Sequence, residues 1–227
     1  MNRGHAEYRL EAVGCVVDRG TFCVAIRSLR VAPGRVHAIT GPSGSGKTTL
    51  LWAFAGLLTL ARGKLLVDGV DRTHVPPEQR RLPLVPQEAA LFPRMTLEEN
   101  VAFGLRIQGL NAGARKRLAR HWLERLGLGN LGHRKPHEVS GGQAQRVSLA
   151  RALAVDAPVV LLDEPWAHLD EETRAMARSA LRETLSETGR SAILVTHDRS
   201  DVTFFEAEET ALPASTTSAS ATHKAIC

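Results

Sequence analysis

The stretch from Gly41 to Thr49 reads Gly, Pro, Ser, Gly, Ser, Gly, Lys, Thr, Thr, and the apolar residues Val36 to Ile39 lead straight into it. Apolar residues followed by closely spaced glycines, a lysine and a threonine read as a strand feeding a phosphate loop. Glycine lets the backbone approach an anion closely. Successive N–H groups around Ser43 to Lys47, backed by the positive end of a helix beginning near Thr48, can then line a nest for phosphates. In this reading Gly41, Pro42, Ser43, Gly44, Ser45 and Gly46 wrap a triphosphate and Lys47 reaches its β and γ groups. Thr48, with Thr49 as a second hydroxyl nearby, offers an oxygen to Mg²⁺. A transport ATPase, a nucleoside kinase and a GTPase share such a loop, so other parts of the chain must separate them.

With 227 residues and 43% apolar composition the chain can bury one sizeable core, or one core with an inserted subdomain. The balance of 29 basic against 24 acidic residues gives +5, which fits a phosphate ligand or an anionic membrane surface and does not by itself argue for nucleic acid. Cys15, Cys23 and Cys227 are widely spaced and fall in no metal-ligand pattern, so neither a disulfide framework nor a zinc site is indicated and a reducing cytosol is the simple reading. The longest nearly apolar run, Leu50 to Ala61, is short of the ~20 residues that span a bilayer. No hydrophobic signal region opens the chain. Any membrane role therefore calls for a separate spanning partner.

Tyr8 to Val17 and Thr21 to Val31, broken at Asp18 to Gly20, suggest a hairpin-like start. Gly63 is expected to stop the buried helix after the loop, ahead of a strand at Lys64 to Val67. Leu84 and Val85 form a short strand running into Pro86 and Gln87. From Leu91 to about Gly132 the pattern turns helical, with Leu118, Trp122 and Leu126 on one apolar face. Arg115, Lys116, Arg117, Arg120, His121 and Arg125 cover much of the rest, as a solvated face or, alternatively, a contact for anionic lipid. Ser140, Gly141, Gly142 and Gln143 open the helix at Ala144 to Val155 and make a second anion site. Val159 to Leu162 and Ala192 to Val195 read as buried parallel strands flanking a helix at Glu171 to Thr188, capped by Asp170 and stopped by Gly189.

Strands ending at Ile39, Val85, Leu162 and Val195 would bring Lys47, Gln87, Asp163, Glu164 and His197 to one edge of a parallel sheet, where open α/β sheets bind ligands. There Asp163 would bind Mg²⁺, Glu164 would polarise an attacking water, and His197 would contact the γ phosphate or orient that water. Two phosphate-binding helix starts in one chain are not obviously used by one ATP. Two copies facing head to tail would use both.

Taken together, the phosphate loop, Gln87, the Ser140 to Gln143 signature, the Asp163 and Glu164 pair, Asp170 and His197 resemble the ATP-binding cassette (ABC) transporter ATPases, over roughly Tyr8 to Asp201. The resemblance implies an α/β fold: a P-loop NTPase core with a mostly parallel sheet, an N-terminal antiparallel β subdomain and an inserted α-helical signature subdomain. It implies an ATPase domain over residues 1–203, with the helical subdomain at about 91–154. It implies ATP and Mg²⁺, with Thr48, Gln87 and Asp163 at the metal, and Glu164, His197, Lys47 and Gln87 in catalysis. Ser140, Gly141, Gly142, Gln143 and Asp170 would join a nucleotide site shared with a second ABC ATPase copy. A transmembrane permease subunit would be the other partner, the chain lying peripherally on the cytoplasmic face of the inner membrane, and no nucleic acid is expected. Pro86 to Leu105 looks most like ATPases of bacterial importers for inorganic anions, iron, polyamines or thiamine. A soluble cassette of the DNA-repair or translation type, or a nucleotide-binding module that no longer turns over, are the alternatives.

The chain departs from the family pattern in three places. No aromatic residue sits close to Asp18 to stack on adenine, and Phe22 is only a neighbour; Val139 and Ala144 replace more usual residues around the signature. Residues 204–227 show none of the helix, strand and turn that usually complete the sheet, and read as a disordered tail leaving a bare, less stable edge.

Overall fold

A computed structural model describes residues 7–20 and 22–214. The chain opens with β1 (Leu10–Asp18), β2 (Cys23–Val31) and β3 (Val36–Thr40), followed by α1 (Lys47–Ala55), β4 (Arg62–Val67) and β5 (Val70–Asp71). A short α2 (Pro77–Arg80) and β6 (Leu84–Val85) lead into α3 (Leu97–Ile107), α4 (Ala112–Arg125) and α5 (Gly141–Ala154). The last elements are β7 (Val159–Asp163), α6 (Glu171–Thr188), β8 (Ser191–Val195), α7 (Arg199–Phe205) and β9 (Glu208–Ala211).

Two sheets result, an antiparallel one in the order β2-β1-β4-β5 and a parallel one in the order β6-β7-β8-β3-β9. Every residue of β7 and β8 is buried, which is why these strands read as unbroken apolar runs. Their side chains alternate between two cores. Val159, Leu161, Ile193 and Val195 pack with α1 and the antiparallel sheet. Val160, Leu162, Ala192 and Leu194 pack with α3 to α6. Three of the six basic residues on α4 contact protein: Arg120 pairs with Glu98, Arg125 with Glu183 and Glu187, and Arg115 donates to the Leu110 carbonyl.

Two expectations are corrected. The helix after the phosphate loop ends at Gly56, where a left-handed backbone turns the chain, and not at Gly63. Gly63 instead lies in β4 opposite a register shift in β1, where a Cβ would meet the Gly14 carbonyl at 2.4 Å. Nor is the sheet edge beside β3 bare. β9 pairs with it in parallel from His37 to Thr40, and Leu212 is buried just beyond. An edge strand of this kind pairs through its backbone, so Glu208, Glu209 and Thr210 need no apolar run to form it. The expected bare edge is therefore covered by β9. The remainder of the expected tail, from residue 215, lies outside the described residues.

One buried cation ties the back of α1 to the connection that leads to Gln87. Arg80 donates to the carbonyls of Ala53 and Phe54 at the end of α1, and to those of Thr73 and Val75, over 2.6–3.0 Å. Arg80→Met leaves these acceptors without their donor in a place water does not reach, so the expected loss is about 3 kcal/mol of folding free energy. A urea melt of each protein measures it.

Candidate active site

β3 leaves the sheet at Thr40, and the next six residues arch to the first turn of α1. Lys47 is buried, and its Nζ folds back across the loop to donate to the carbonyls of Gly41 (2.8 Å) and Pro42 (2.9 Å). The ammonium thus stands over the loop it belongs to. Thr48 Oγ1 donates to Asp163 Oδ1 at 3.1 Å, joining the start of α1 to the end of β7. A cavity of about 420 Å³ opens here, with Ser43, Gly44, Gly46 and Lys47 to Thr49 on one side and Gln87 and Glu164 on the other.

Phe22 also lines this cavity, from the turn between β1 and β2. Its ring lies against Gly46, where an added Cβ would come within 2.8 Å of Cζ. An aromatic residue therefore does reach the site, contrary to the expectation that Phe22 is only a neighbour of it. The signal was present in its position one residue before β2, at the end of the turn. What the sequence does not carry is how far that turn folds over the phosphate loop.

Asp163 closes β7 at 2% exposure. Burial pushes its carboxyl pKa up, against the opposing pull of the Thr48 hydrogen bond and the Lys47 charge. The next residue, Glu164, has a left-handed backbone (φ 46°), a conformation that costs a side-chain-bearing residue about 1–2 kcal/mol. It is pinned there by its N–H donating to the Val195 carbonyl at 3.0 Å. Its Oε2 meets His197 Nδ1 at 2.5 Å, so the carboxylate is held between the ends of β7 and β8. Behind it, Trp166 stacks on Phe205 with centroids 6.4 Å apart. Gln87 is steadied indirectly: the carbonyl of Pro86 accepts from Nε2 of the buried Gln145 on α5 at 3.0 Å.

The remaining expected residues lie elsewhere. Ser140 and Gln143 form a reciprocal capping box at the start of α5, with Ser140 Oγ accepting from Gln143 N (3.2 Å) and Gln143 Oε1 from Ser140 N (2.9 Å). Gly142 packs on the loop leading to Asp170, with Leu169 Cδ2 3.3 Å from the place a Cβ would take. Asp170 caps α6 through Thr173, and those hydrogen bonds hold its carboxyl below the usual range. Ser140, Gly141, Gly142, Gln143 and Asp170 line no part of the 420 Å³ cavity.

The donor set suits Mg²⁺, a hard cation that takes oxygen ligands and keeps several waters. Thr48 and Asp163 present such oxygens side by side, with Gln87 lining the same cavity. No cluster of three or more His, Cys, Asp or Glu that could hold a metal occurs among the described residues. An ion here would share its coordination with substrate phosphates.

The ABC transporter family model matches residues 25–167. The Fe(3+) ions import ATP-binding protein of Brucella abortus is 45% identical over 174 residues, which cover 77% of this chain and 49% of that protein. The molybdate/tungstate import ATP-binding protein of Pyrococcus horikoshii is 44% identical over 170 residues, 75% of this chain and 49% of that one. The chain thus spans about half the length of these relatives. Two solved structures at 28% identity superpose closely. A dimeric bacterial ABC transporter cassette gives a TM-score of 0.81 over 90% of this chain and 94% of that one. A dimeric ATP-binding cassette in a post-hydrolysis state with ADP and Pi gives 0.79 over 89% and 94%.

The raised pKa of Asp163 makes it a source of pH-dependent instability. Unfolded, the carboxyl ionises near its ordinary value of about 3.9; folded, it holds its proton to higher pH. Its contribution is therefore fully favourable below the unfolded value and is lost as pH rises through the folded one. Asp163→Asn keeps an acceptor for Thr48 without the buried charge. The nucleotide-free variant is expected to melt above the parent protein at pH 7, with the gap closing as pH falls through the raised pKa. Paired thermal melts across that range measure it.

Proposed function

As this chain belongs to the ABC transporter family, we propose that it is an ATP-hydrolysing subunit that works as a head-to-tail pair and powers import through a separate transmembrane subunit. The observation that carries the proposal is the division of the functional residues. The phosphate loop, Gln87 and Glu164 line one cavity, while the Ser140 to Gln143 helix start lies outside it, Ser140 and Gly141 exposed and Gly142 and Gln143 half-buried. In a C₂ pair, the signature and Asp170 of one copy would cover the nucleotide held by the other. The dimeric state of both superposing cassettes supports this arrangement.

In the proposed reaction, Lys47 and the loop N–H groups bind the β and γ phosphates, and Phe22 supplies an apolar wall. Glu164 accepts a proton from water as its oxygen attacks the γ phosphorus, the bond to the β-phosphate oxygen breaks, and ADP and inorganic phosphate leave. His197, hydrogen-bonded to Oε2, fixes which way the carboxylate faces. Thr48, Asp163 and Gln87 would hold Mg²⁺, which when bound offsets the charge on the phosphates. Among the described residues no helix is long and apolar enough to cross a membrane; the import ATP-binding proteins among the relatives support placing the pathway in a permease partner, with the chain on its cytoplasmic side. The names of the relatives point to an inorganic ion as cargo.

Glu164→Gln keeps the shape of the side chain and removes its basicity, so turnover of Mg²⁺-ATP is expected to fall by about 10²-fold or more. With ATP on a sizing column the variant should run as a stalled dimer. A parent protein that neither hydrolyses ATP nor pairs in its presence would overturn the proposal.

A further inference from the structure

The phosphate loop and the His197 turn leave the sheet from neighbouring strands, and both are joined to one residue of β9. Glu209 Oε1 accepts from Thr40 Oγ1 at 2.5 Å, one residue before the loop begins. Its other oxygen, Oε2, accepts from Arg199 Nη1 at 2.7 Å, two residues after His197. Resting on the ATPase reading above, we propose that Glu209 is a positioning residue that sets the phosphate loop against the His197 turn from the side away from the nucleotide.

Both ends of this bridge are stiff enough to carry a displacement. On the first, Leu212 N donates to the Thr40 carbonyl at 2.8 Å, and the Leu212 carbonyl sits 2.5 Å from where a Cβ on Gly41 would lie. Gly41 in turn holds the Lys47 ammonium through its own carbonyl. A shift of Thr40 therefore reaches Lys47 through one residue. On the second, Thr196 Oγ1 accepts from Asp198 N and donates to Asp201, whose carboxylate pairs with Arg178. Asp198 also caps the start of α7 through Ser200 N. Residues 196–201 thus form one hydrogen-bonded unit, and a shift of Arg199 moves His197 and the Glu164 carboxylate it holds. The Glu209 side chain is 23% exposed and that of Arg199 80%, and ion pairs of this exposure add little to folding stability. What such a pair can fix is geometry, and small misplacements at a reacting centre have large effects on rate.

The test uses the full chain with Glu209→Leu, Glu209→Gln, Thr40→Val and Arg199→Met, read by amide hydrogen exchange without nucleotide and by Mg²⁺-ATP turnover. Glu209→Leu is expected to speed exchange in both 41–47 and 196–200 with little change in melting temperature. Thr40→Val should open only the first segment and Arg199→Met only the second. Glu209→Gln keeps an acceptor for Thr40 but loses the charge facing Arg199, and should open only the second. In turnover, Glu209→Leu is expected to lower kcat about fivefold while KM for ATP stays within about twofold, and adding Thr40→Val should cost nothing more. Unchanged exchange in either segment of Glu209→Leu overturns the bridge, and unchanged kcat in an active parent background overturns its positioning role. A parent protein without turnover would sink the ATPase reading instead, and the exchange profiles would still decide the bridge.

Discussion

The parallel pairing of β3 with β8 on one side and β9 on the other fixes the point at which the backbone leaves the sheet, and the site follows from it. Both faces of that sheet are covered, so β3, β7 and β8 cannot slide or flip without exposing an apolar core. Because these strands run in the same direction, their carboxyl ends fall together. Lys47, Asp163, Glu164 and His197 become neighbours although they are scattered over 150 positions of sequence. Their chemistry is local, but their proximity comes from burial elsewhere.

That scaffold tolerates arrangements that a weaker one would not. A carboxylate is buried at Asp163, and a left-handed glutamate is held at Glu164 by one backbone hydrogen bond to β8. Arg80 stiffens the far end of α1 and the Trp166–Phe205 stack backs the loop after Glu164. Rigidity behind the site is what keeps oxygens and nitrogens at set distances in front of it.

Much of this was legible in the sequence because its signals are dense there. The unbroken runs at Val159 to Leu162 and Ala192 to Val195 could only be strands covered on both faces, and Asp170 and Gly189 bound α6 where the structure does. The parts that were not legible share a cause, namely structure defined by long-range contact rather than local pattern. β9 contains no apolar run and exists because β3 offers it an unpaired edge. The end of α1 is hidden by apolar residues continuing past Gly56, some of which, like Leu57, face solvent. Phe22 belongs to the cavity only because the turn between β1 and β2 brings it to the phosphate loop. At the start of α5, the reciprocal capping of Ser140 and Gln143 is likewise a feature of the folded helix end.

The left-handed backbone at Glu164 also bears on how this position can change. Glycine adopts that conformation freely, and asparagine and aspartate tolerate it better than glutamate does. The replacements most comfortable with the backbone are therefore those that shorten or remove the carboxylate arm reaching toward His197. A lineage drifting toward stability alone would give up glutamate here readily. In the laboratory, a screen for thermal resistance would favour glycine, asparagine or aspartate at this residue, each at the expense of the contact to His197.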